Sequence, residues 1–255
     1  MENSTASRSK ISIILPVYNE ESTVRELLDR VWNQPVFDLR RELIIVESNS
    51  TDRTRETILR FAKEKSCDEH VLVKLVFQDV ARGKGNAVRA GLKEAVGDII
   101  VIQDGDLEYD VRDYPALIEP ILAGRTDFVL GSRHLSAGSW KIREFERNPW
   151  RAFLLNLGGI FFHAMFNLLY SVRLTDPTTM FKVFRRSCLK GINLISDRFD
   201  FDFELLGKLI RAGYTPLEVP VTYRSRGFGE GKKVRIFRDP PTWLWAMTRF
   251  RFGEL

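Results

Sequence analysis

Cysteine is scarce in this sequence of 255 residues, which contains only Cys67 and Cys188 and has no CxxC pair. Two distant thiols exclude a zinc site built from cysteine pairs and a disulfide framework, so a reducing compartment is the expected environment. The sequence also shows no secretion signal, because its first segment, MENSTASRSK, is polar and has no apolar core. We therefore expect a cytoplasmic protein.

An uninterrupted apolar run of membrane-spanning length is also missing. The longest candidate, residues 152–170, is broken by small or polar residues at Asn156, Gly158, Gly159, His163 and Asn167. A membrane-spanning helix needs about 20 predominantly apolar residues. The segment therefore predicts a buried or interfacial helix rather than a span.

Acidic residues are few in the C-terminal part of the chain. Between Arg224 and Arg251, eight basic residues stand against two acids, Glu230 and Asp239. This charge suits an anionic partner, which can be nucleic acid, a phosphorylated substrate or an anionic lipid surface. No nucleic-acid-binding motif accompanies it. We therefore expect a phosphate or a membrane surface, and no nucleic acid.

The first half of the chain alternates β-rich runs with helical patterns. Strands are predicted at residues 11–18, 41–48, 71–78, 98–104 and 127–133. This alternation predicts an α/β fold in which a mainly parallel sheet is covered by helices on both faces. No internal repeat or low-complexity linker divides the chain. We expect one catalytic domain over residues 11–233, a disordered tail at 1–10, and a basic aromatic helix at 234–255.

Four acids follow the fourth predicted strand, in the run IVIQDGDLEYD. If the chain there stays extended, alternate residues share one side, and the acids converge. Asp104 and Asp106 flank Gly105, and carboxylates at this spacing can hold Mg²⁺ or Mn²⁺, with Glu108 as a third ligand. The alternative is a solvated turn, since Asp-Gly is a common turn pair. Asp110 is expected to cap the next helix.

Other polar clusters follow the first three strands, where ligands of parallel sheets bind. PVYNEE places Tyr18 and Glu20 where a nucleoside could be held, and RGKG places Lys84 at a helix start suited to a phosphate. Glu47 ends an apolar run, so a hydrogen-bonding role is expected for it. Asp52 is expected to cap the second helix.

These motifs, in their order along the chain, carry a family resemblance. The series ILPVYNEE, VESNSTDRT, GKGNAVRAG, DGDLEYD, LGSR, TDPTTMFKVFRR and VPVTYRSRGFGEGKK resembles family 2 glycosyltransferases of the GT-A fold. Within that family it is most similar to the dolichyl-phosphate mannose synthases and the bacterial polyprenyl-phosphate sugar transferases. The resemblance extends from Ile11 to Lys233.

The resemblance implies roles for particular residues. Pro16, Tyr18 and Glu20 would contact the nucleoside, and Arg226, Gly229 and Lys232 match the family's tail motif that closes over the phosphates. Glu47 and Lys84, expected from the strand-end clusters above, complete the predicted cofactor-binding set. The metal would be held by Asp104, Asp106 and Glu108, and Arg133 would face the sugar or the phosphates. The chain departs from the family pattern at Glu47–Ser50, where Asp-Asp-Gly-Ser is usual, and at Gly231, where serine is usual. The first departure leaves the choice of nucleotide base open.

The expected reaction is a metal-dependent, inverting transfer of a hexose from a GDP-mannose or UDP-glucose type donor to a polyprenyl or dolichyl phosphate. Asp104, Asp106, Arg133 and Asp176 form the expected catalytic set, although Asp176 could instead cap the next segment. A lipid phosphate is already ionised and needs basic residues rather than a general base. The candidates for that role are Arg143, Arg147, Arg151 and Arg226.

Two alternatives stay open at this point. A soluble glycosyltransferase acting on a sugar hydroxyl would need a carboxylate base, with candidates Asp176, Asp200, Asp202 and Glu204. A non-enzymatic anion-binding module would need only the basic tail. If the acceptor is a lipid phosphate, we expect the protein to be peripheral at the cytosolic face of a membrane, with a small membrane-anchoring subunit as a possible partner.

Overall fold

The computed structural model of the protein describes residues 9–66, 70–138, 149–225 and 239–253. Several predicted sites, together with Cys67, lie outside the described residues: Arg143, Arg147, Arg226, Gly229, Gly231 and Lys232, and the side chain of Arg151. Cys188 is buried, and burial raises the pKa of its thiol to about 11. It is therefore an apolar core residue rather than a reactive thiol.

Seven strands form one sheet in the order β3-β2-β1-β4-β6-β5-β7. They are β1 (Lys10–Val17), β2 (Arg40–Glu47), β3 (Val71–Phe77), β4 (Ile99–Ile102), β5 (Phe128–Ser132), β6 (Lys182–Arg185) and β7 (Leu217–Pro220). Neighbouring strands are parallel except at β6, which pairs antiparallel with both β4 and β5. The predicted mainly parallel α/β fold is confirmed.

Helices cover both faces of this sheet. They are α1 (Val24–Asn33), α2 (Thr54–Glu64), α3 (Lys84–Glu94), α4 (Tyr114–Leu122), α5 (Arg133–Ala137), α6 (Pro149–Tyr170), α7 (Phe201–Arg211) and α8 (Asp239–Phe252). In α1 the buried residues Val24, Leu27, Leu28 and Val31 follow the spacing of one helix face. Alternate residues of β1 enter different cores: Ile13 lies in one apolar cluster, and Ile14 lies in the other.

The β4 strand ends at Ile102, two residues before the predicted end. The acid run therefore does not continue as an extended strand, so the alternation that would place its acids on one side does not apply. Asp110 does cap the next turn, because its carboxylate accepts a hydrogen bond from the Arg112 amide at 2.9 Å. Asp52 likewise accepts from the amide of Thr54, the first residue of α2, at 3.0 Å.

Helix α6 packs against α8 at one edge of the fold. The Tyr170 hydroxyl donates to the Met247 carbonyl at 3.1 Å, and the Phe162 and Trp243 rings meet edge to face at 5.2 Å. Among the described helices, α6 contains a segment, Ala152–Tyr170, long and apolar enough to cross a membrane, and 29% of it is buried. Its outward side exposes a row of apolar residues: Trp150, Phe153, Leu154, Leu157, Phe161 and Leu168.

Candidate active site

The loops after β1 and β2 are locked to each other at the carboxyl ends of the sheet. Asn19 accepts from the Thr51 amide at 2.8 Å, and the Glu20 amide donates to Thr54 Oγ1 at 2.8 Å. The carboxylate of Glu20 is nearly buried and accepts from Thr23 Oγ1 at 2.7 Å, whereas Tyr18 is 36% exposed. Of these predicted nucleoside contacts, Tyr18 is thus the side chain offered to a ligand at the surface.

Glu47 is completely buried at the end of β2. Its carboxylate accepts from the Ser50 amide and from Arg55 Nε, both at 2.5 Å. The predicted hydrogen-bonding role is confirmed, and it consists of holding the loop that follows β2. Contact of Glu47 with a nucleotide stays a prediction.

The glycines of RGKG serve close packing at the start of α3. Gly83 has a φ of 126°, and a Cβ there would lie 2.5 Å from the Asp197 carbonyl oxygen. A Cβ on Gly85 would lie 2.6 Å from Phe201 Cβ. Both positions exclude a side chain because the segment before α7 lies against them. This approach leaves Lys84 directed toward the acid run.

The acid run has a distinct partner for each of its first three carboxylates. Asp104 is ion-paired with Lys84, and Asp106 accepts from the Glu108 amide at 3.0 Å. Glu108 accepts from the Tyr223 hydroxyl at 2.9 Å. Asp106 is 9% exposed. In this arrangement each of the three predicted metal ligands is therefore ion-paired or hydrogen-bonded to a group of the chain itself.

Glycine between the two aspartates has a steric cause. A Cβ on Gly105 would lie 2.6 Å from the Pro16 carbonyl oxygen of β1. The bend after β4 therefore passes directly over the β1 backbone. That approach brings the backbone between Asp104 and Asp106 against Pro16 and Val17, directly before Tyr18 in the sequence.

Two lysine–aspartate pairs, Lys84–Asp104 and Lys182–Asp202, lie close enough to interact electrostatically. Lys182, fully buried in β6, donates to Asp202 Oδ1 at 3.0 Å. Burial lowers the pKa of Lys182, and Asp202 opposes that effect only in part. The pKa of Lys84 is raised overall, because the nearby Asp104 and Asp202 outweigh the opposing effect of burial. Lys84 thus stays cationic next to the acid run.

The carboxylate oxygens of the acid run and the contact of Lys84 with Asp104 indicate that this part of the site suits a cation. Carboxylates are the ligands that Mg²⁺ and Mn²⁺ prefer, and an ammonium group already lies against Asp104. The residues present thus fit a divalent cation at Asp104 and Asp106. Glu108 would join them if its side chain left Tyr223.

Arg133 and Asp176 form a buried pair beside β5 and α5. Asp176 Oδ2 accepts from the Arg133 amide at 3.0 Å and from its Nε at 2.7 Å, while Oδ1 accepts from Nη2 at 2.7 Å. Burial alone would raise the pKa of Asp176, but the guanidinium and its hydrogen bonds hold that pKa well below its usual range. The fold thus brings these two predicted catalytic residues together, and the Asp176 carboxylate holds the Arg133 guanidinium in place.

Two histidines flank this pair. His163 Nε2 lies 2.9 Å from Thr178 Oγ1 and 3.7 Å from Asp176 Oδ1, and its ring meets that of His134 at 5.1 Å. Ligand atoms of His134, His163 and Asp176 lie within 4.8 Å of one another. A cation among them would compete with Arg133, because both oxygens of Asp176 already accept from the guanidinium. Asp104 is likewise ion-paired, with Lys84, so a divalent cation at Asp104 and Asp106 stays a prediction.

Sequence analysis did not identify all of the buried charged and polar residues of the site. Lys182 and His163 were not predicted, and Asp202 was predicted only as a possible base. A lysine inside the apolar run MFKVF and a histidine inside an apolar helix were the available signals, because such groups are seldom buried without a partner.

Comparison with known proteins gives a consistent result. Residues 12–192 match the family model of glycosyl transferase family 2. A dolichol-phosphate mannosyltransferase of Pyrococcus furiosus is 32% identical over 88% of this chain and 59% of its own length. A dodecaprenyl-phosphate galacturonate synthase of Rhizobium johnstonii is 25% identical over 90% of this chain and 63% of its own. The chain thus spans about three fifths of either relative.

Solved structures share the fold. Glucosyl-3-phosphoglycerate synthase of Mycobacterium tuberculosis, crystallised with Mg²⁺ and uridine diphosphate, has a TM-score of 0.64 at 19% identity and covers 97% of this chain and 80% of its own. A mannosyltransferase of Pyrobaculum calidifontis with GDP-mannose and Mn²⁺ has a TM-score of 0.58 at 18% identity, over 96% and 70%. The family match covers most of the sheet, and this chain belongs to glycosyl transferase family 2.

Proposed function

We propose that the protein transfers a hexose, with inversion, from a nucleotide diphosphate sugar of the GDP-mannose or UDP-glucose type to a polyprenyl or dolichyl phosphate. One observation carries the proposal. Helix α6 exposes an apolar side to solvent, and its opposite side contacts the Arg133–Asp176 pair through His163. A lipid phosphate needs an apolar surface and a cationic site next to each other.

The donor would lie at the carboxyl ends of β1 and β4. Asp104 and Asp106, with Glu108, would hold a Mg²⁺ or Mn²⁺ ion, which supplies charge neutralisation to the departing diphosphate. Lys84 lies beside Asp104 and remains cationic, so it can donate to the phosphates where negative charge develops. Tyr18, which is 36% exposed, would contact the nucleoside.

Three of the four candidate bases are held in ion pairs, and the fourth, Asp200, accepts from the Arg198 amide at 3.1 Å, which favours a phosphate acceptor over a sugar hydroxyl. Asp176 is ion-paired with Arg133, Asp202 with Lys182, and Glu204 with Lys208 at 3.1 Å. Because Arg133 holds the pKa of Asp176 well below its usual range, Asp176 makes a poor general base. The carboxylates of Asp202 and Glu204 are each occupied by a lysine. An acceptor phosphate is ionised near neutral pH and requires no base.

A membrane surface is proposed as the third partner. Helix α8 adds a further exposed aromatic residue, Trp245, which is half-exposed and has the Arg249 guanidinium 4.6 Å from its ring centre. Aromatic and arginine side chains suit the boundary between lipid and water. The lipid-phosphate names of two relatives support the same assignment. A small membrane-anchoring subunit could strengthen the attachment.

The test is incubation of the full chain with radiolabelled GDP-mannose or UDP-glucose, Mn²⁺, and either polyprenyl phosphates or soluble sugars. We expect label in the lipid extract, and a loss of at least about a hundredfold in Asp106→Asn, because a cation ligand is removed. Asp110→Asn is the matched control, since Asp110 caps the following turn and pairs with Arg112. Label in soluble sugars alone would establish the hydroxyl-acceptor alternative instead. Metal-dependent binding of a nucleotide sugar would argue against a non-enzymatic module.

A further inference from the structure

Helix α6 has two sides with different chemistry. Phe153, Leu157 and Leu168 are exposed on one side, at 40%, 50% and 80% of their surface. On the other side lie His163 and Asn167, which are four residues apart and therefore neighbours along one helix face. The side chains of the row are exposed, whereas the polar pair contacts the chain between α6 and β6.

Asn167 holds the beginning of this connecting segment, residues 174–178. Its Nδ2 donates to the Leu174 carbonyl at 2.8 Å, and its Oδ1 accepts from the Leu174 amide at 3.0 Å. Such a two-way amide contact fixes both the distance and the orientation of the backbone at that point. The segment therefore follows α6 if the helix moves.

His163 holds the other end. Its Nε2 is hydrogen-bonded to Thr178 Oγ1 at 2.9 Å and lies 3.7 Å from Asp176 Oδ1. Its ring also meets the ring of His134, which directly follows Arg133 in α5. One side chain of α6 thus contacts both flanks of the Arg133–Asp176 pair.

The orientation of Arg133 depends on this segment. Three hydrogen bonds join Arg133 to the Asp176 carboxylate, and a fourth runs from Arg133 Nη2 to Thr178 Oγ1 at 2.9 Å. Thr178 Oγ1 therefore contacts both Arg133 and His163. A displacement of α6 would be transmitted through this hydroxyl to the guanidinium.

We propose that His163 is a positioning residue that couples attachment of α6 to a lipid surface with the placement of Arg133. The inference rests on the proposed function, in which the acceptor arrives from a membrane. A lipid surface that binds the apolar row of α6 stabilises one position of the helix. The hydrogen bonds of His163 and Asn167 then fix the position of residues 174–178 relative to that helix. The lipid surface shifts the equilibrium between positions of α6 only if it binds one of those positions more tightly than the others.

The experiment separates the lipid surface from the acceptor. The acceptor is a short, water-soluble prenyl phosphate, and vesicles of anionic phospholipid without acceptor are added to the full chain. In the unmodified protein we expect the vesicles to raise kcat about fivefold or more, the lower end of ordinary allosteric coupling. His163→Leu should lose this stimulation while it still sediments with the vesicles and binds the nucleotide with an unchanged Kd.

Two further variants separate coupling from folding. His163→Gln keeps a hydrogen-bonding group within reach of Thr178 and should restore the stimulation. The double variant Leu157→Glu with Leu168→Glu should lose both sedimentation and stimulation. If His163→Leu does not fold, Asn167→Leu removes the other anchor of the segment and should reduce the stimulation in the same way. Full stimulation in His163→Leu, or in Asn167→Leu if that variant is used, would overturn the proposal.

Hydrogen exchange supplies a readout that needs no reaction. The amides of Thr175 and Asp176 donate to Glu218 at 2.8 Å and 2.9 Å, so their exchange reports the order of the segment. Vesicles should slow this exchange in the unmodified protein and not in His163→Leu. Unchanged exchange in an active protein would overturn the coupling alone. Slowed exchange without transfer to any prenyl phosphate would overturn the proposed function.

Discussion

Glu42 offers a change that should weaken the fold without touching the candidate site. It is fully buried in β2, near the amino ends of the strands and away from the acid run. Its Oε1 accepts from Ser12 Oγ at 2.5 Å and from the Val96 amide at 2.7 Å. Its Oε2 is ion-paired with Lys10 at 2.8 Å and with Lys74 at 3.2 Å. Glu42→Gln keeps the shape of the side chain and removes its charge.

The pKa of Glu42 sets the size of the effect. Burial by itself would raise this pKa, but Lys10, Ser12 and the Val96 amide lower it from 4.5 to about 2. That difference corresponds to about 3 kcal/mol of stabilisation at neutral pH. Because the folded-state pKa is the lower one, the contribution is complete above pH 4.5 and is lost as the pH falls through about 2. At pH 3 about half of it remains.

Urea unfolding of both proteins at pH 7, 5 and 3 measures this contribution directly. We expect Glu42→Gln to lower the free energy of unfolding by about 3 kcal/mol at pH 7 and by about 1.5 kcal/mol at pH 3. Glu56→Gln is the control, because the Glu56–Arg60 pair is exposed on α2 and should contribute less than about 0.5 kcal/mol. The nucleotide Kd at neutral pH should be the same in all three proteins. A difference for Glu42→Gln that does not change between pH 7 and pH 3 would refute the reasoning.

The sequence predicted the strands well where apolar residues run without interruption. Residues 11–18 were predicted as a strand, and β1 spans Lys10–Val17. The position of β6 could not be predicted, although its residues lie within the quoted motif TDPTTMFKVFRR. Strand Lys182–Arg185 enters antiparallel between β4 and β5. Its neighbours lie far away along the chain, and local sequence pattern contains no information on such pairing.

The acid run shows where spacing alone was insufficient. Alternation of Asp104, Asp106 and Glu108 suggested a common side, but the strand ends at Ile102 and the chain bends. The bend is set by contact of Gly105 with the β1 backbone, which is a tertiary feature. Local roles were predicted correctly, as with the capping carboxylate of Asp110, because a cap depends only on nearby amides.

Pairing of buried charges was the least predictable part of the site. Lys182 and Asp202 are 20 positions apart, and Arg133 and Asp176 are 43 apart. An isolated charge in an apolar run indicates that a partner exists, but the partner is chosen by the fold. The resemblance to glycosyltransferases singled out Arg133 and placed Asp176 in a family motif. It did not indicate that Asp176 would hold Arg133.

Two further changes test the site itself. Gly105→Ala should reduce Mn²⁺-dependent nucleotide binding in calorimetry, because its Cβ would lie 2.6 Å from a β1 carbonyl oxygen and the acid run would have to move; unchanged binding would show that the bend tolerates a side chain. Asp176→Asn should be more severe, because Arg133 is 5% exposed and would keep its charge without the carboxylate that neutralises it. Breaking a buried pair on one side costs about 3–5 kcal/mol, which urea unfolding would detect. Transfer activity should fall as well, in contrast to Glu42→Gln, because Arg133 loses the carboxylate that orients it. An Asp176→Asn protein with unchanged stability and activity would mean that Arg133 is held by its other contacts, and that Asp176 has no positioning role.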